Sequence, residues 1–352
     1  MAITFGPLFD QVVSFENLWE AYRKARRGKR YSEAAAHFDM EAEGNVLRLC
    51  EELRTDSYRP GPYSHFFVNE PKRRLISAAP FRDRVVHHAV VNVLEPLYER
   101  RFSNASYACR RDKGQHRAME RAHWGIRNCP WFLKGDIVKF FPSVDHGVLL
   151  AILGKKVKDP KLMRLVARIV ESGRSVPNDA PVFWFCGDDL LAPVERLRGL
   201  PIGNLTSQFF ANVLLNELDQ FVHGHIKPRE YVRYGDDFIL FDREKEKLIR
   251  ALSDIRGKMD ELRLRLHNDK TQIRRSTQGV GYLGFRLLPT TRRIARESIS
   301  RFRRRMKVCA RVRPLDLRRV GASVRGWVAH TEHANATAMV KEVLSDLVFS
   351  PA

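Results

Sequence analysis

Residues 231–241, YVRYGDDFILF, constrain the fold of this chain more than any other stretch. Two apolar arms rich in aromatic and β-branched residues flank Gly235-Asp236-Asp237, a pattern that reads as a β-hairpin with the acids at its turn. An Asp-Asp pair in a hairpin is, alone, ordinary turn chemistry, since Asp tolerates turn geometry. A third acid shifts the balance. Asp136 follows the apolar Trp131-Phe132-Leu133 in WFLKGDIVKFFPSV (131–144), read as a strand running into a turn at Pro142.

Three acids in two strand settings fit a definite chemistry. Phosphodiester synthesis needs an activated 3′ hydroxyl and a leaving pyrophosphate, and two divalent ions about 3.5–4 Å apart can serve both. Magnesium is hard, prefers oxygen, and is held by one or two carboxylates plus substrate phosphates. Asp136 and Asp236 on adjacent central strands would bridge such a pair, with Asp237 supporting the cluster or the primer end.

The charge balance points to a polyanionic partner. The 352 residues carry 62 Lys and Arg against 41 Asp and Glu, for a net charge of +21 and a pI near 10.1. Nucleic acid is the commonest polyanion. Cys50, Cys109, Cys129, Cys186 and Cys309 are scattered and form no C-x-x-C pair, which argues against a disulfide framework or zinc ribbon and for reduced, mostly buried thiols. The N-terminus lacks a signal-peptide pattern, and no apolar run approaches the roughly 20 residues needed to span a bilayer. A cytoplasmic protein with no membrane partner is expected.

Helices are expected over 10–27, ending in the basic stretch Arg23–Arg30, and over about 41–54, 82–102, 146–156, 160–171, 207–223 and 243–263. Short strands and turns are expected over 58–80 and 271–288. The 173–199 stretch reads as irregular, and Asp188-Asp189 within it as a solvated turn. From Arg292 to Arg325 there are thirteen Arg or Lys against Glu297 and Asp316, on apolar spacing that suits helices. His330 and His333, with no nearby thiols, read as structural or solvated.

Together, these residues resemble the reverse transcriptase family across nearly the whole chain. Tyr234-Gly235-Asp236-Asp237 is the most specific mark. Asp136-Ile-Val-Lys-Phe-Phe141 resembles the first palm motif, in which the aromatic five residues after the metal-binding Asp acts as a steric gate. Phe141 would then exclude a 2′ hydroxyl and favour dNTPs, where RNA-dependent RNA polymerases usually place a polar acid. Gly199-Leu-Pro-Ile-Gly-Asn-Leu-Thr-Ser-Gln208 resembles the loop before the helix that backs template and nucleotide. Most of the family has Gln before the glycine and Ser-Pro after. Ile202 and Gln208 instead look like the enzymes of bacterial diversity-generating retroelements, which implies relaxed base selection. Pro71-Lys-Arg-Arg-Leu-Ile and Phe81-Arg-Asp-Arg resemble fingers segments of bacterial retroelement and group II intron enzymes.

The resemblance implies an α+β right-hand polymerase: N-terminal helices and fingers over 1–130, a palm with an antiparallel sheet over 131–290 carrying the 173–199 insertion, and a basic helical thumb over 291–352. The catalytic set would be Asp136, Asp236, Asp237 and, as a general acid, Lys270; the metal set, Asp136, Ile137, Asp236 and Asp237. Lys72, Arg74, Arg84, Phe140, Phe141, Ile202, Gly203 and Gln208 would bind nucleotide. Tyr234, Gly235, the primer-grip hairpin Tyr282-Leu283-Gly284, and Arg304 and Arg305 of the thumb would bind primer and template. The cofactor would be two Mg²⁺ ions, with Mn²⁺ able to substitute. Partners would be an RNA template, its cDNA product and dNTPs, with a structured non-coding RNA and a small basic accessory protein. The expected role is in a bacterial or phage-encoded diversity-generating retroelement. The alternatives are a free-standing or phage-defence reverse transcriptase with a non-coding RNA, and a non-catalytic RNA-binding maturase or scaffold. No endonuclease or ribonuclease H segment is read in the chain.

Overall fold

The computed structural model of the chain describes residues 5–69, 72–311 and 317–346. Its strands are β1 (Ser64–Val68), β2 (Arg74–Ala78), β3 (Trp131–Gly135), β4 (Glu230–Tyr234), β5 (Asp237–Asp242), β6 (Gln272–Arg275), β7 (Val280–Tyr282), β8 (Phe285–Leu287) and β9 (Arg292–Ile294). They form an antiparallel four-stranded sheet in the order β4-β5-β3-β6, a three-stranded sheet β7-β8-β9, and the separate hairpin β1-β2. This mixed architecture of helices packed on antiparallel sheets is α+β, as expected for a right-hand polymerase.

Alternation gives the central sheet two buried faces. Tyr231, Leu133, Phe238 and Leu240 join a large core that runs from Phe5 to Leu266 and includes the helices Phe81–Glu99, Leu205–Phe221 and Lys245–Glu261. Phe132, Val232, Ile239 and Phe241 face the other way, against the helix Gln115–Asn128 and the β7-β8-β9 sheet. Glycines let the layers approach. A Cβ on Gly125 would lie 2.5 Å from the Phe241 ring, and one on Gly135 would lie 2.2 Å from that of Phe238, its cross-strand partner. Farther along, Phe302, Met306, Val320, Trp327 and Val343 make a third, smaller core among the helices Arg296–Arg311, Leu317–Thr331 and Thr337–Ser345. Among the described residues no helix is long and apolar enough to cross a membrane.

Several expectations are corrected. The helix expected over 10–27 is two helices, Phe9–Val12 and Phe15–Arg26, because Ser14 turns extended and its side chain caps the second by accepting from the Asn17 amide. Pro142 lies inside a helical turn, Phe140–Ser143, rather than in a simple turn. The helix Glu33–Asp39 and strand β9 were not expected. All five thiols are free, but Cys109 and Cys186 are exposed and only Cys50 and Cys129 are buried. Asp188 is not solvated: its side chain pairs with Arg196, which also reaches Asp145 at 3.2 Å and so staples the irregular insertion to the palm. Asp189 accepts from the Leu191 and Ala192 amides, at 3.0 and 2.7 Å, where the short helix Ala192–Glu195 begins.

Gly135→Ala is expected to destabilise the protein by about 1–3 kcal/mol, the cost of forcing extra volume into a packed core. The control is Gly224→Ala, whose Cβ meets nothing within 4 Å. Equal urea midpoints for the two variants would show that the Gly135–Phe238 contact does not set the sheet spacing.

Candidate active site

The register of the central sheet brings the three acids together. Tyr234 pairs with Asp237, so Gly235 and Asp236 form the two-residue turn between β4 and β5. Gly235 sits at φ +63°, a conformation favourable to glycine at the first central position of a hairpin turn. On the neighbouring strand the last pair is Gly135 with Phe238, so Asp136, one residue further, emerges beside Asp237. Cross-strand neighbours on one face have Cβ atoms about 4.5–5.5 Å apart. The Asp136 carbonyl accepts from the His267 amide at 2.8 Å, and Ile137 bridges Leu266, which pins this strand end. Ile137 is buried and only its backbone can offer an oxygen to a cation.

Electrostatics reports the crowding. Burial, then the neighbouring Asp237 and Asp136 carboxylates, push Asp236 up to about 6. Asp237 is also raised, chiefly by burial and also by Asp136, against the pull of Lys134, Lys270 and Lys72. Two lysines offset the repulsion directly. Lys270 donates to Asp136, and Lys134 lies 3.8 Å from Asp237 while donating to the Gly281 carbonyl at 2.8 Å. Lys134 is not among the residues singled out from sequence; its position two residues before Asp136, hence on the same strand face, is the signal for it. Among the described residues, no three His, Cys, Asp or Glu side chains close into a metal cage. The acids instead form an open, all-oxygen, mutually repelling set, which fits a hard divalent cation whose remaining ligands are water and substrate oxygens.

The expected nucleotide residues divide. Arg74 on β2 and Lys72 just before it are exposed and close enough to lower Asp236 and Asp237 respectively. Arg84 is on the helix Phe81–Glu99, partly buried, its Nε donating to the Ala79 carbonyl at 2.8 Å. Phe140 is buried in the large core, while Phe141 is partly exposed beside it, rings 5.3 Å apart. The Gly203 loop touches the β1-β2 hairpin: Ser77 donates to the Ile202 carbonyl at 2.9 Å, and a Cβ on Gly203, at φ +113°, would lie 2.7 Å from Ile76. Asn204, also not singled out from sequence, is buried and fastens the same contact. It donates to the Ser77 carbonyl at 2.8 Å and accepts from the Ala79 amide at 3.2 Å. Gln208 is exposed on the following helix.

On the other side, Tyr282 closes strand β7 and is buried, its hydroxyl raised by that burial first and then by the Asp237 carboxylate. Leu283 and Gly284, at φ +50° and +84°, make the tight turn into β8. Tyr234 is partly exposed beside that sheet. Arg304 and Arg305 are exposed on the helix Arg296–Arg311, away from the acids in sequence and in core. His330 packs on Phe285, ring centroids 4.5 Å apart, and His333 stacks on His116 at 3.6 Å.

Residues 68–287 match the family model described as reverse transcriptase (RNA-dependent DNA polymerase), and the chain belongs to that family. Protein YkfC of Escherichia coli K12 is 26% identical over 71% of this chain and 72% of its own length. The group II intron-encoded protein LtrA of Lactococcus lactis is also 26% identical, over 60% of this chain, but the match spans only 33% of LtrA. Nuclear intron maturase 1 of Arabidopsis thaliana is 24% identical over 60% of this chain and 41% of its own. A solved apo telomerase from Candida tropicalis aligns at TM-score 0.47 and 11% identity, over 70% of this chain and 59% of that one. Members of the family generally work with divalent metal ions.

Because Asp236 titrates near 6, protons compete with cations just below neutrality. Divalent-ion affinity, followed by Mn²⁺ electron paramagnetic resonance, is expected to be steady above pH 7. It should fall by up to about tenfold per pH unit below 6 for each proton displaced. Lys134→Met removes a cation that lowers Asp237 and is expected to move this fall to higher pH. A flat affinity from pH 7.5 to 5 would rule out these carboxylates as the ligands.

Proposed function

We propose that the protein is an RNA-directed DNA polymerase that makes cDNA on an RNA template. The observation that carries this reading is the electrostatic coupling of Asp136, Asp236 and Asp237 at the ends of adjacent strands. Bound there, two Mg²⁺ ions, or Mn²⁺ in their place, would supply Lewis-acid activation of the primer hydroxyl and charge neutralisation at the departing pyrophosphate. The chain's own residues do the rest. Asp136 and Asp236 hold the cations, with Asp237 and the Ile137 backbone in support. Lys270, released from Asp136, is free to donate a proton to the leaving group. Lys72 and Arg74 grip the triphosphate, with Arg84 behind them. Phe141 lies under the sugar and excludes a 2′ hydroxyl; Phe140 supports it from the core. Residues 1–130 act as N-terminal helices and fingers, 131–290 as palm, and 291–352 as a thumb in which Arg304 and Arg305 track duplex phosphates. Tyr234, Gly235 and the Tyr282-Leu283-Gly284 turn hold the primer end.

Within this reading the favoured role is in a diversity-generating retroelement, supported by Ile202 in the loop that meets the fingers hairpin and by Gln208 on the helix that follows. Ile202 offers no side-chain hydrogen bond to nucleotide or template, while Gln208 remains exposed to contact them. The working partners are a structured RNA and a small basic accessory protein, in a bacterial cytoplasm. A second reading, a non-catalytic maturase, is favoured by relatives that carry that name.

One experiment separates the readings. Purified protein is expected to extend a primer on RNA with dNTPs and Mg²⁺ or Mn²⁺. Asp236→Ala should lower the rate by about three orders of magnitude, the loss of several kcal/mol of transition-state stabilisation, while RNA retention on a filter is unchanged. No extension by either protein, with RNA retained by both, would establish the scaffold instead, and equal extension by both would remove Asp236 from the chemistry. In the same assay, Ile202→Gln is expected to lower misincorporation about five- to tenfold, the worth of one hydrogen bond. An unchanged error spectrum would remove Ile202 from base selection.

A further inference from the structure

Arg233 is fully buried, one residue before the turn tyrosine, and it is the largest fully buried side chain among the described residues. All five guanidinium N–H donors have partners. Nε and one Nη2 hydrogen hold both oxygens of Asp219, at 2.7 and 2.6 Å, and the second Nη2 hydrogen meets Ser106 Oγ at 2.9 Å. Nη1 donates to Asn212 Oδ1 at 3.4 Å and to the carbonyl of Gly235 at 3.0 Å. Asp219 is also fully buried and accepts from the Tyr231 hydroxyl at 2.7 Å.

An ion pair out of water is no stability bargain. Apolar residues of the same volume commonly fold as well or better, although removing one partner alone is damaging. What an apolar side chain cannot supply is the bond to Gly235. That carbonyl belongs to the peptide linking Gly235 to Asp236, in a two-residue turn where glycine leaves the peptide free to rotate. A flip of that peptide changes ψ of Gly235 and φ of Asp236, and so re-aims the Asp236 side chain.

Resting on the polymerase reading, we propose that Arg233 is a positioning residue: anchored by Asp219, it latches the Gly235–Asp236 peptide and fixes the direction of the Asp236 carboxylate. The latch joins the 102–110 segment, the helix Leu205–Phe221 and the hairpin turn in one network, since the Arg233 backbone also pairs with Ala105 and Tyr107. Its work is geometric. Arg233 touches no substrate.

Two variants test this. Arg233→Lys keeps the charge for Asp219 but lacks the fork to reach Gly235 as well. The triple change Tyr231→Phe, Asp219→Leu, Arg233→Met replaces the network with apolar volume and covers the case in which the lysine variant does not fold. Expected for whichever is folded, by circular dichroism and melting, is a loss of at least tenfold in kcat with dNTP KM and RNA retention within threefold. Deuterium exchange of the 234–238 peptide should quicken at least tenfold, with the helix Leu205–Phe221 unchanged in the lysine variant. A folded variant with parental kcat, or with parental exchange at the turn, overturns the proposal. The exchange measurement needs no turnover. If the parent itself fails to extend primers, the polymerase reading falls, and the latch is still judged by exchange.

Discussion

Burial and mutual repulsion among Asp136, Asp236 and Asp237 set the terms for the residues around them. A carboxyl pushed up to about 6 beside a second raised one is a site out of balance without positive charge. Lys134 and Lys270 supply part of that charge from β3 and from the turn before β6, the first beside Asp237 and the second on Asp136. Lys134 also holds the Gly281 carbonyl, so the same amine that offsets Asp237 ties the central sheet to the β7-β8-β9 sheet. Compensation of charge and alignment of the two sheets are therefore one interaction.

The acids stay put because the backbone beside them is held on one face of the sheet by two neighbouring contacts. The Gly135–Phe238 pair brings ring against backbone, next to both Asp136 and Asp237. Arg233, the cross-strand partner of Phe238 on β4, meets the turn from the same face through its saturated guanidinium. Buried charges of this kind persist only when fully hydrogen-bonded, and here all five donors are. Rigidity at the turn is thus obtained from polar contacts and rigidity of the strands from packing, which suits a site whose carboxylates repel one another.

Much of the sheet was legible because alternation with a period of two is a strong signal, and both faces of β3, β4 and β5 are buried in matching registers. The acids were legible because carboxylates at the ends of apolar strands stand out. What escaped is instructive. Arg233 carries no signal of its own in the 231–234 arm; its burial follows from distant partners, Asp219 and Ser106. Asn204 carries no signal of its own beside Gly203, yet its amide works as a splint on the backbone of Ser77 and Ala79. Apolar spacing that continues through Ser14 hides the break there, and Asp188 reads as a turn residue because its partner Arg196 lies eight positions on, across irregular chain. Each failure is a side chain whose role is fixed by a partner remote in sequence, or by capping that overrides periodicity.

The Gly203 loop shows the same kind of remote contact fixing a backbone. The Ile202 carbonyl is occupied by Ser77, and Asn204 is occupied by Ser77 and Ala79, so the loop's polar groups are turned toward the hairpin β1-β2. Gly203 admits Ile76 to within a distance no Cβ would allow. The loop is therefore fixed by its backbone and by Asn204, independently of the side chain at 202. A residue there can change without disturbing the hairpin's seat, and an isoleucine side chain offers only van der Waals contact. On the polymerase reading proposed above, base selection at this position would therefore be separable from the fold.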